Sequence, residues 1–459
     1  MEKILDKVIW KITPTREEIV REKKFAEKII GAIGSVRGKH LRAELVGSMA
    51  RNTHLRGDND LDIFVFFPEN LSREEFEKEG LHTAMSVFRG HKWEKAYSEH
   101  PYIRGKINGF EVEIVPAYDV ASAENLKSAV DRSAFHNKYL LREMKPGHER
   151  EIRLLKQFMK GVKCYGADLS TNSFPGYVAE ILVLKYGSFA NTLKAASGWK
   201  PGEVVDVEGH LGAEEARGKF GSHFVVIDPV DRNRNVAAAL SQNQYARFIA
   251  AARAFLQKPS MNFFFPKPHR AWSVEKLKRF LRKTELVAIA TGYPKGIVED
   301  IMWGQLRRVG RKMAAMCEAQ GFAVKRSAEW LEHARHMFIL LEVESTQLQK
   351  AKILRGPEAT DRMNSEAFLR AHPNPLSGPR IENSRWVLEV ERKYTHVEPF
   401  IKDALKKLKT EEKGGIRKAL NKRAKIMHEN EIIALYRKNA GFRQFLTGYL
   451  KGEEEFLGY

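Results

Sequence analysis

Two aspartates that alternate with apolar residues constrain the fold of this chain more than any other feature. Asp60 and Asp62 flank Leu61 in the run DLDIFVFF. Side chains at positions i and i+2 of a β-strand share a face, so the run predicts a strand with two carboxylates on one face and apolar residues on the other. Two carboxylates held that close repel each other, which predicts a bound cation, and oxygen ligands of this kind suit Mg²⁺. A polar turn that leads into an edge strand is the alternative.

A Gly-Ser pair, separated from the first aspartate by eleven residues, predicts a phosphate-binding turn. Gly47 and Ser48 follow the strand-like run LRAELV and open the segment MARNTHL, so we expect a helix N-terminus with free N–H groups there. Glycine allows close backbone approach, the serine hydroxyl adds a donor, and Arg51 lies one turn onward to pair with phosphate. The arrangement is typical of a triphosphate site, although a Gly-Ser pair taken alone is more often a plain helix cap.

A third carboxylate on another strand would complete a catalytic set. The run FEVEIVP supplies Glu111 and Glu113, both on the face opposite its apolar residues, and the spacing favours neither of the two. Acidic residues on two strands beside a phosphate-binding turn predict two-metal nucleotidyl transfer. One ion would lower the pKa of a 3′-hydroxyl, and the other would stabilise the triphosphate and the leaving pyrophosphate. The sequence contains no Ser–His–Asp order, Walker loop or HExxH motif that would indicate another chemistry.

A large positive charge indicates a polyanionic partner. The chain of 459 residues carries 78 Lys and Arg against 58 Asp and Glu, a formal charge of +20. Ten basic and three acidic residues fall between Lys402 and Lys425, where they predict either a phosphate contact surface or a solvated helix face. Cys164 and Cys317 are expected to be buried thiols, and no apolar run approaches the roughly 20 residues of a transmembrane helix. We therefore expect a cytoplasmic protein with no membrane partner.

The remaining patterns predict an α+β protein of several domains. Residues 1–142 combine helical stretches with short strands, and residues 143–262 are mostly helical with one candidate strand, HFVVIDPV. The segment KPSMNFFFPKPHR (258–270) is dense in proline and aromatic residues and predicts a boundary. Helices and strands alternate over residues 263–459, as in many RNA-binding modules.

With these residues the chain resembles the archaeal CCA-adding enzymes, class I tRNA nucleotidyltransferases of the polymerase β superfamily. The resemblance runs through the blocks VGSMARNTHLRGDNDLDIFVFFP, EVEIVPAY, SAVDRSAFHNKYL, RLLKQFMKGVKCYGA, IDPVDRNRNVAAALS, NFFFPKP and ILRGPE. It implies a polymerase β-type nucleotidyltransferase head (1–142), a helical neck that recognises the base (143–262), and an RNA-binding α/β body with a tail that binds the tRNA acceptor arm (263–459).

The resemblance also implies roles for individual residues. It implies that Asp60, Asp62 and Glu113 are catalytic and bind two Mg²⁺ ions, which selects Glu113 over Glu111. It implies that Arg234 reads the base edge jointly with the RNA backbone. The residues that it implies for nucleotide binding are Gly47, Ser48, Arg51, His136, Lys156, Tyr165 and Arg234. Outside the family context, the last four would be explained by helix faces, packing and a charged loop.

Two acidic positions depart from the family pattern. The third carboxylate is usually Asp and here is Glu113, whereas the first is Asp60 where relatives often have Glu. A carboxylate displaced by about 1 Å can cost on the order of a hundredfold in rate. We expect the two changes to offset each other, because the shorter Asp60 leaves room for the longer Glu113.

The sequence thus predicts template-independent addition of C, C and A to the 3′ end of tRNA from CTP and ATP, with release of pyrophosphate. Two alternatives stay open: another template-independent RNA 3′-nucleotidyltransferase of poly(A) or oligoadenylate type, and a catalytically weakened tRNA-binding homologue in which Glu113 marks decay. The blocks ILRGPE and RWVLEVERKY favour tRNA, and the retained Asp60 and Asp62 argue against decay. A homodimer is also left open.

Overall fold

The contacts within the chain divide it into two compact units. The computed structural model describes residues 1–36, 41–97, 99–166, 172–267, 270–297, 299–332, 335–421 and 424–457. One unit comprises Met1–Pro268 with Glu453–Tyr459, and the other comprises His269–Gly452. Within the described ranges, no helix is long and apolar enough to cross a membrane. The three functional divisions expected at 1–142, 143–262 and 263–459 stay a prediction.

The first unit contains both helices and strands. Its helices are α1 (Glu2–Ile12), α2 (Arg16–Gly34), α3 (Gly47–Ala50), α4 (Arg73–Val87), α5 (Arg132–Glu143), α6 (His148–Gly161), α7 (Gly176–Tyr186), α8 (Phe189–Ser197), α9 (Ala213–Phe220) and α10 (Gln242–Gln257). Its strands are β1 (Arg42–Val46), β2 (Asp60–Phe67), β3 (Trp93–Tyr97), β4 (Pro101–Ile107), β5 (Phe110–Tyr118), β6 (Glu203–Val205), β7 (Phe224–Asp228) and β8 (Asp231–Asn235).

A five-stranded sheet of order β1-β2-β5-β4-β3 carries the acidic residues. β2 and β5 run parallel, and β1 and β4 are antiparallel to them. One face of β2 buries Leu61 and Ile63 in a core shared with α2 and α4. The other face buries Phe64 and Phe66 with Ala134 of α5. Because side chains alternate between faces, the two aspartates at the start of β2 lie on this second face, just before its apolar core begins.

The C-terminal half of the first unit is built on an aromatic core. Phe158 of α6 packs against Phe248 and Phe255 of α10, and Phe174 packs against Phe224 of β7. The single strand expected in this region is β7, but it lies in a small sheet of order β6-β7-β8. The other two strands were missed because β6 has only three residues and β8, DRNRN, is polar throughout and shows no alternation.

The second unit confirms the alternation of helices and strands expected from the sequence. Its helices are α11 (Val274–Leu281), α12 (Glu299–Gln320), α13 (Arg362–Ala371), α14 (Val397–Glu411), α15 (Gly414–Asn421), α16 (Glu429–Lys438) and α17 (Ala440–Lys451). Its strands are β9 (Glu285–Gly292), β10 (Val324–Glu332), β11 (His336–Val343), β12 (Ala351–Glu358), β13 (Ser377–Glu382), β14 (Arg385–Glu391) and β15 (Lys425–Met427). The sheet β10-β11-β9-β15 has α12, α14 and α15 on one face and α11, α16 and α17 on the other. A second sheet has the order β12-β14-β13.

Candidate functional site

Four carboxylates lie side by side on two parallel strands. In the pairing of β2 with β5, Asp62 is opposite Glu113 and Asp60 is opposite Glu111. All four therefore point to the same face of the sheet. The direct neighbour of Glu113 is Asp62, and Asp60 is its diagonal neighbour. If the shorter Asp60 makes room for the longer Glu113, as expected from the sequence, it must do so across this diagonal.

Ion pairing distinguishes the two glutamates that the strand pattern left open. Nζ of Lys106 lies 2.6 Å from Oε1 of Glu111, which therefore has a cationic partner. The cross-strand neighbour of Glu113 is Arg104, but Nε of that arginine lies 2.6 Å from Oε1 of Glu94 instead. Among the described residues, the Glu113 carboxylate has neither a hydrogen-bond partner nor an ion-pair partner.

Glu113, Asp62 and Asp60 are difficult to ionise together. Burial, followed by the charge of Asp62, raises the pKa of Glu113 to about 7. Burial and the charge of Asp60 raise the pKa of Asp62 to about 6. Burial and the charge of Asp58 raise the pKa of Asp60 as well. A cluster of oxygen donors that repel one another when charged has the chemistry of a site for a hard divalent cation.

The side chains of these carboxylates do not converge on one point. Within the described ranges, no three His, Cys, Asp or Glu side chains are arranged to hold a metal ion. Asp60 is exposed, Asp62 and Glu113 are partly buried, and a groove of about 700 Å³ lined in part by Asp60, Trp93 and Glu113 opens beside them. The acids thus provide the oxygen donors that a divalent cation prefers, on neighbouring strands of the sheet. Their side chains would have to rotate to coordinate one ion together.

The Gly-Ser turn packs directly against the acidic strand. Gly47 has φ of +76°, in the left-handed region that favours glycine, and a Cβ atom at this position would overlap Oδ2 of Asp62. The helix expected to start here is shorter than the sequence suggested, because α3 ends at Ala50 and the chain turns back. The N–H group of Thr53 donates to the carbonyl of Ser48 at 2.8 Å, which closes this turn.

Two of the candidate nucleotide-binding cations meet on one buried carboxylate that the sequence reasoning missed. Nη2 of Arg51 and Nζ of Lys156 each lie 2.9 Å from an oxygen of Glu180, and Thr53 donates its hydroxyl to the same carboxylate. Burial alone would raise the pKa of Glu180, but the two cations outweigh it and the pKa falls to about 2. The signal was present in the sequence, since Glu180 is the single acid in the apolar run GYVAEILVLKY.

The tyrosine expected to contact the nucleotide lies beside this buried cluster. A Cβ atom at Gly176 would stand 2.7 Å from Oη of Tyr165 and 3.7 Å from Cε of Lys156, so both side chains pack against the start of α7. Nζ of Lys160 lies 5.5 Å from the centre of the Tyr165 ring. Tyr165 and Lys156 are therefore brought together, as a shared site requires.

A second buried acid joins the remaining two candidates. Oδ2 of Asp228 lies 2.8 Å from Nε2 of His136 and 2.8 Å from Nη1 of Arg234. The His136 ring also stacks on Tyr177 with centroids 4.1 Å apart. Asn137, the residue after His136, accepts a hydrogen bond from Nη1 of Arg51 at 2.8 Å. Helix α5 thus connects the two buried clusters.

Three family models match successive parts of the chain. A nucleotidyltransferase domain matches residues 26–136, the second domain of tRNA nucleotidyltransferase matches residues 150–265, and the C-terminal domain of CCA-adding enzyme matches residues 282–429. The first of these ranges contains the acidic strands β2 and β5.

Curated relatives are similar over most of their length. The CCA-adding enzyme of Methanosarcina barkeri is 37% identical over 402 residues, covering 86% of this chain and 85% of that protein. The enzyme of Methanosarcina mazei is 35% identical over 96% of this chain and 97% of its own. The enzyme of Archaeoglobus fulgidus is 36% identical over 88% and 89%, respectively. These similarities extend across both compact units.

Proposed function

The chain belongs to the family of CCA-adding enzymes, and on that premise we propose which of its residues perform the reaction. It is an enzyme that adds C, C and A to the 3′ end of tRNA from CTP and ATP, without a nucleic-acid template, and releases pyrophosphate. The observation that carries the assignment of catalytic residues is the register of β2 and β5, in which Asp62 is the neighbour of Glu113.

Asp60, Asp62 and Glu113 are proposed to bind the divalent metal that this family uses, in the form of two Mg²⁺ ions. Bound there, the cations would lower the pKa of the attacking 3′-hydroxyl and stabilise the charge of the triphosphate and pyrophosphate. The raised pKa values of Asp62 and Glu113 support this role, because unpaired carboxylates gain most from a cation. Glu111 is left out of the set because its carboxylate already pairs with Lys106.

The triphosphate is proposed to lie against the Gly47–Ser48 turn. Two basic side chains, Arg51 and Lys156, share the single carboxylate of Glu180, so this buried cluster has more hydrogen-bond donors than one acid satisfies and is suited to an anion. Tyr165 beside Lys156 would complete this nucleotide-binding surface. His136 and Arg234, held together on Asp228, are proposed to contact the base and its surroundings.

The tRNA acceptor arm is proposed to bind residues 263–459, and the basic stretch of α14 and α15 contains two kinds of cation. Lys402, Lys406 and Lys407 each lie within 4 Å of an acid on the same helix, so α14 neutralises much of its own surface. Three exposed cations in and before α15 have no ion-pair partner among the described residues, and we propose them as phosphate contacts: Lys413, Arg417 and Lys418. Lys422 and Arg423 lie outside the described residues.

The match to the C-terminal domain of CCA-adding enzyme favours this function over a poly(A) or oligoadenylate polymerase. We further propose a cytoplasmic location, because tRNA and nucleoside triphosphates are available there. A homodimer stays a proposal, which sedimentation of the purified protein would test.

The function is tested with a tRNA that ends at the discriminator base, Mg²⁺ and each labelled nucleotide in turn. We expect incorporation of CMP and then AMP, but not of GMP or UMP. Equal use of all four nucleotides would exclude CCA addition and leave a general RNA tailing activity. Tight tRNA binding without any incorporation would instead support the weakened homologue.

A further inference from the structure

Asp228 is a fully buried acid that contacts both residues proposed to bind the base, His136 and Arg234. Its side chain has no exposed surface at the end of β7, and Oδ2 accepts from both His136 and Arg234 at 2.8 Å. Oδ1 accepts from the backbone N–H of Val230 at 3.1 Å. Burial would raise the pKa of Asp228, but the hydrogen bonds from His136 and Arg234 lower it, so the carboxylate is charged at neutral pH. It therefore acts as a fixed acceptor for both partners.

The acid fixes one tautomer of His136. Burial lowers the pKa of His136, so the ring is neutral at pH 7 and carries one proton. Because Nε2 faces the charged Asp228, that nitrogen carries the proton and Nδ1 is left as an acceptor. Stacking on Tyr177 fixes the plane of the ring as well. Both the orientation and the donor pattern of His136 thus depend on its neighbours.

The same acid anchors Arg234 at one corner. The guanidinium is planar and only donates hydrogen bonds, and Asp228 engages a single nitrogen, Nη1. About 40% of the Arg234 side chain is exposed. The anchored group therefore presents its remaining donors outward in a defined plane.

A guanidinium held in a fixed position, which can only donate hydrogen bonds, distinguishes adenine and cytosine from guanine and uracil. On their Watson–Crick edges, adenine N1 and cytosine N3 accept hydrogen bonds, whereas guanine N1 and uracil N3 carry hydrogens. A guanidinium that cannot swing away is satisfied by A or C and left facing a like donor by G or U. Discrimination between these bases therefore requires that the arginine side chain be held in place, because a mobile one could turn to other acceptors on G or U.

We propose that Asp228 is a positioning residue that sets nucleotide specificity, because it holds Arg234 and His136 in the one orientation that selects C and A. This inference rests on the proposed contact between Arg234 and the base. It requires no contact between Asp228 and the nucleotide. Loss of the acid should therefore relax the choice of base more than it lowers the addition of the correct nucleotide.

The chain provides a matched control in the same hairpin. Asp231 of β8 lies 3.0 Å from Arg132, which stands one turn before His136 on α5. Asp231→Asn removes an acid–base pair between the same hairpin and the same helix, α5, and leaves the contact of Asp228 with Arg234 in place. A purely structural contribution of the hairpin would therefore affect both variants in the same way.

The test is single-nucleotide addition to tRNA lacking CCA, with kcat/KM measured for CTP and UTP in the parent, Asp228→Asn, Asp228→Glu and Asp231→Asn proteins. We expect the ratio of CTP to UTP efficiency to fall on the order of tenfold in Asp228→Asn and to stay at the parental value in Asp231→Asn. Asp228→Glu keeps the charge but displaces it, so it should relax the ratio too and provides the test if Asp228→Asn does not fold. An unchanged ratio in a folded Asp228 variant, or an equal fall in Asp231→Asn, would overturn the proposal. Failure of the parent to prefer CTP would instead refute the proposed function.

Discussion

The acids of the first unit fall into two groups with opposite electrostatics. Asp62 and Glu113 lie at a sheet face and have no ion-pair partner among the described residues, and their pKa values rise to about 6 and about 7. Glu180 and Asp228 are more deeply buried, yet their pKa values fall, because each accepts hydrogen bonds from two basic side chains. Partners, more than depth of burial, decide the charge of each acid.

The difference separates acids that hold basic side chains in position from acids whose carboxylates are kept for a ligand. A buried acid that accepts hydrogen bonds from two basic side chains is satisfied and holds those partners in place. An unpaired acid beside a second acid costs stability unless a cation binds, and such unfavourable groups cluster at functional sites. Substitutions in the two groups should therefore affect activity and stability in opposite proportions.

The largest effect is expected for Asp62→Ala. Transfer of CMP should fall by at least about a hundredfold, because an acid at the centre of the proposed metal site is lost. Binding of tRNA, measured by filter retention, should stay near the parental value. A variant that keeps more than a few per cent of the parental rate would mean that the metal is bound elsewhere.

The next largest effect is expected at Glu113, where two variants separate the charge of the side chain from its length. Glu113→Gln should also cost roughly a hundredfold in single-turnover rate, since it removes the charge but keeps the shape. Glu113→Asp should stay within a few fold of the parent if the longer side chain is well accommodated. The control is Glu111→Gln, which removes an acid already paired with Lys106 and should retain most activity. A tenfold or greater gain in Glu113→Asp would show that the natural residue is a handicap.

Glu180→Gln should chiefly reduce stability. Removal of this charge leaves Arg51 and Lys156 buried without a counter-charge, which costs about 3 kcal/mol in the free energy of unfolding. The lowered pKa of Glu180 favours folding above its ordinary value of 4.5, and that contribution is lost as the pH falls toward about 2. Urea unfolding should therefore show a difference between parent and variant at pH 7 that shrinks below pH 4.5. A constant difference across this range would contradict the charged form of Glu180.

The smallest effect is expected at the surface of α14 and α15. Replacing Lys413, Arg417 and Lys418 by alanine should reduce the slope of log K against log[salt] for tRNA binding by about 2, since each phosphate contact contributes about 0.7. The matched variant replaces three lysines that already pair with acids of their own helix: Lys402, Lys406 and Lys407. Equal slopes for both variants would identify the stretch as a solvated face.

Local patterns in the sequence predicted the acidic strands well. The run DLDIFVFF is β2 from Asp60 to Phe67, because strict alternation at its start and a continuous apolar run after it are typical of a strand buried on both faces. Thr15 and Glu18 form a capping box at the start of α2, and this contact between residues three positions apart is likewise a local one. Both features depend on neighbours in the chain, which a single sequence contains.

Long-range partners could not be predicted in the same way. The pairing of Arg51 with Glu180 spans 129 positions, and that of His136 with Asp228 spans 92. Nothing in the local pattern of α7 or β7 specifies these contacts, so the sequence does not reveal the buried partner of Arg51, whose contact with phosphate stays a proposal. The strand pattern also left Glu111 and Glu113 equivalent, although Lys106 pairs with Glu111 whereas Arg104, opposite Glu113, pairs with Glu94 instead.

The most direct test of the contrast between the two groups is a thermal melt of the parent and of Asp62→Asn at pH 8, with and without Mg²⁺. Because the pKa of Asp62 is raised to about 6, the folded protein favours the protonated carboxyl, and this contribution to stability is lost as the pH rises through about 6. At pH 8 the parent therefore holds an unfavourable charge that the asparagine lacks. Without Mg²⁺ the variant should melt at or above the parental temperature. Added Mg²⁺ should raise the Tm of the parent, because the ion binds the folded state, and should leave the variant nearly unchanged. Equal stabilisation of both proteins by Mg²⁺, or a lower Tm of Asp62→Asn in its absence, would contradict the account.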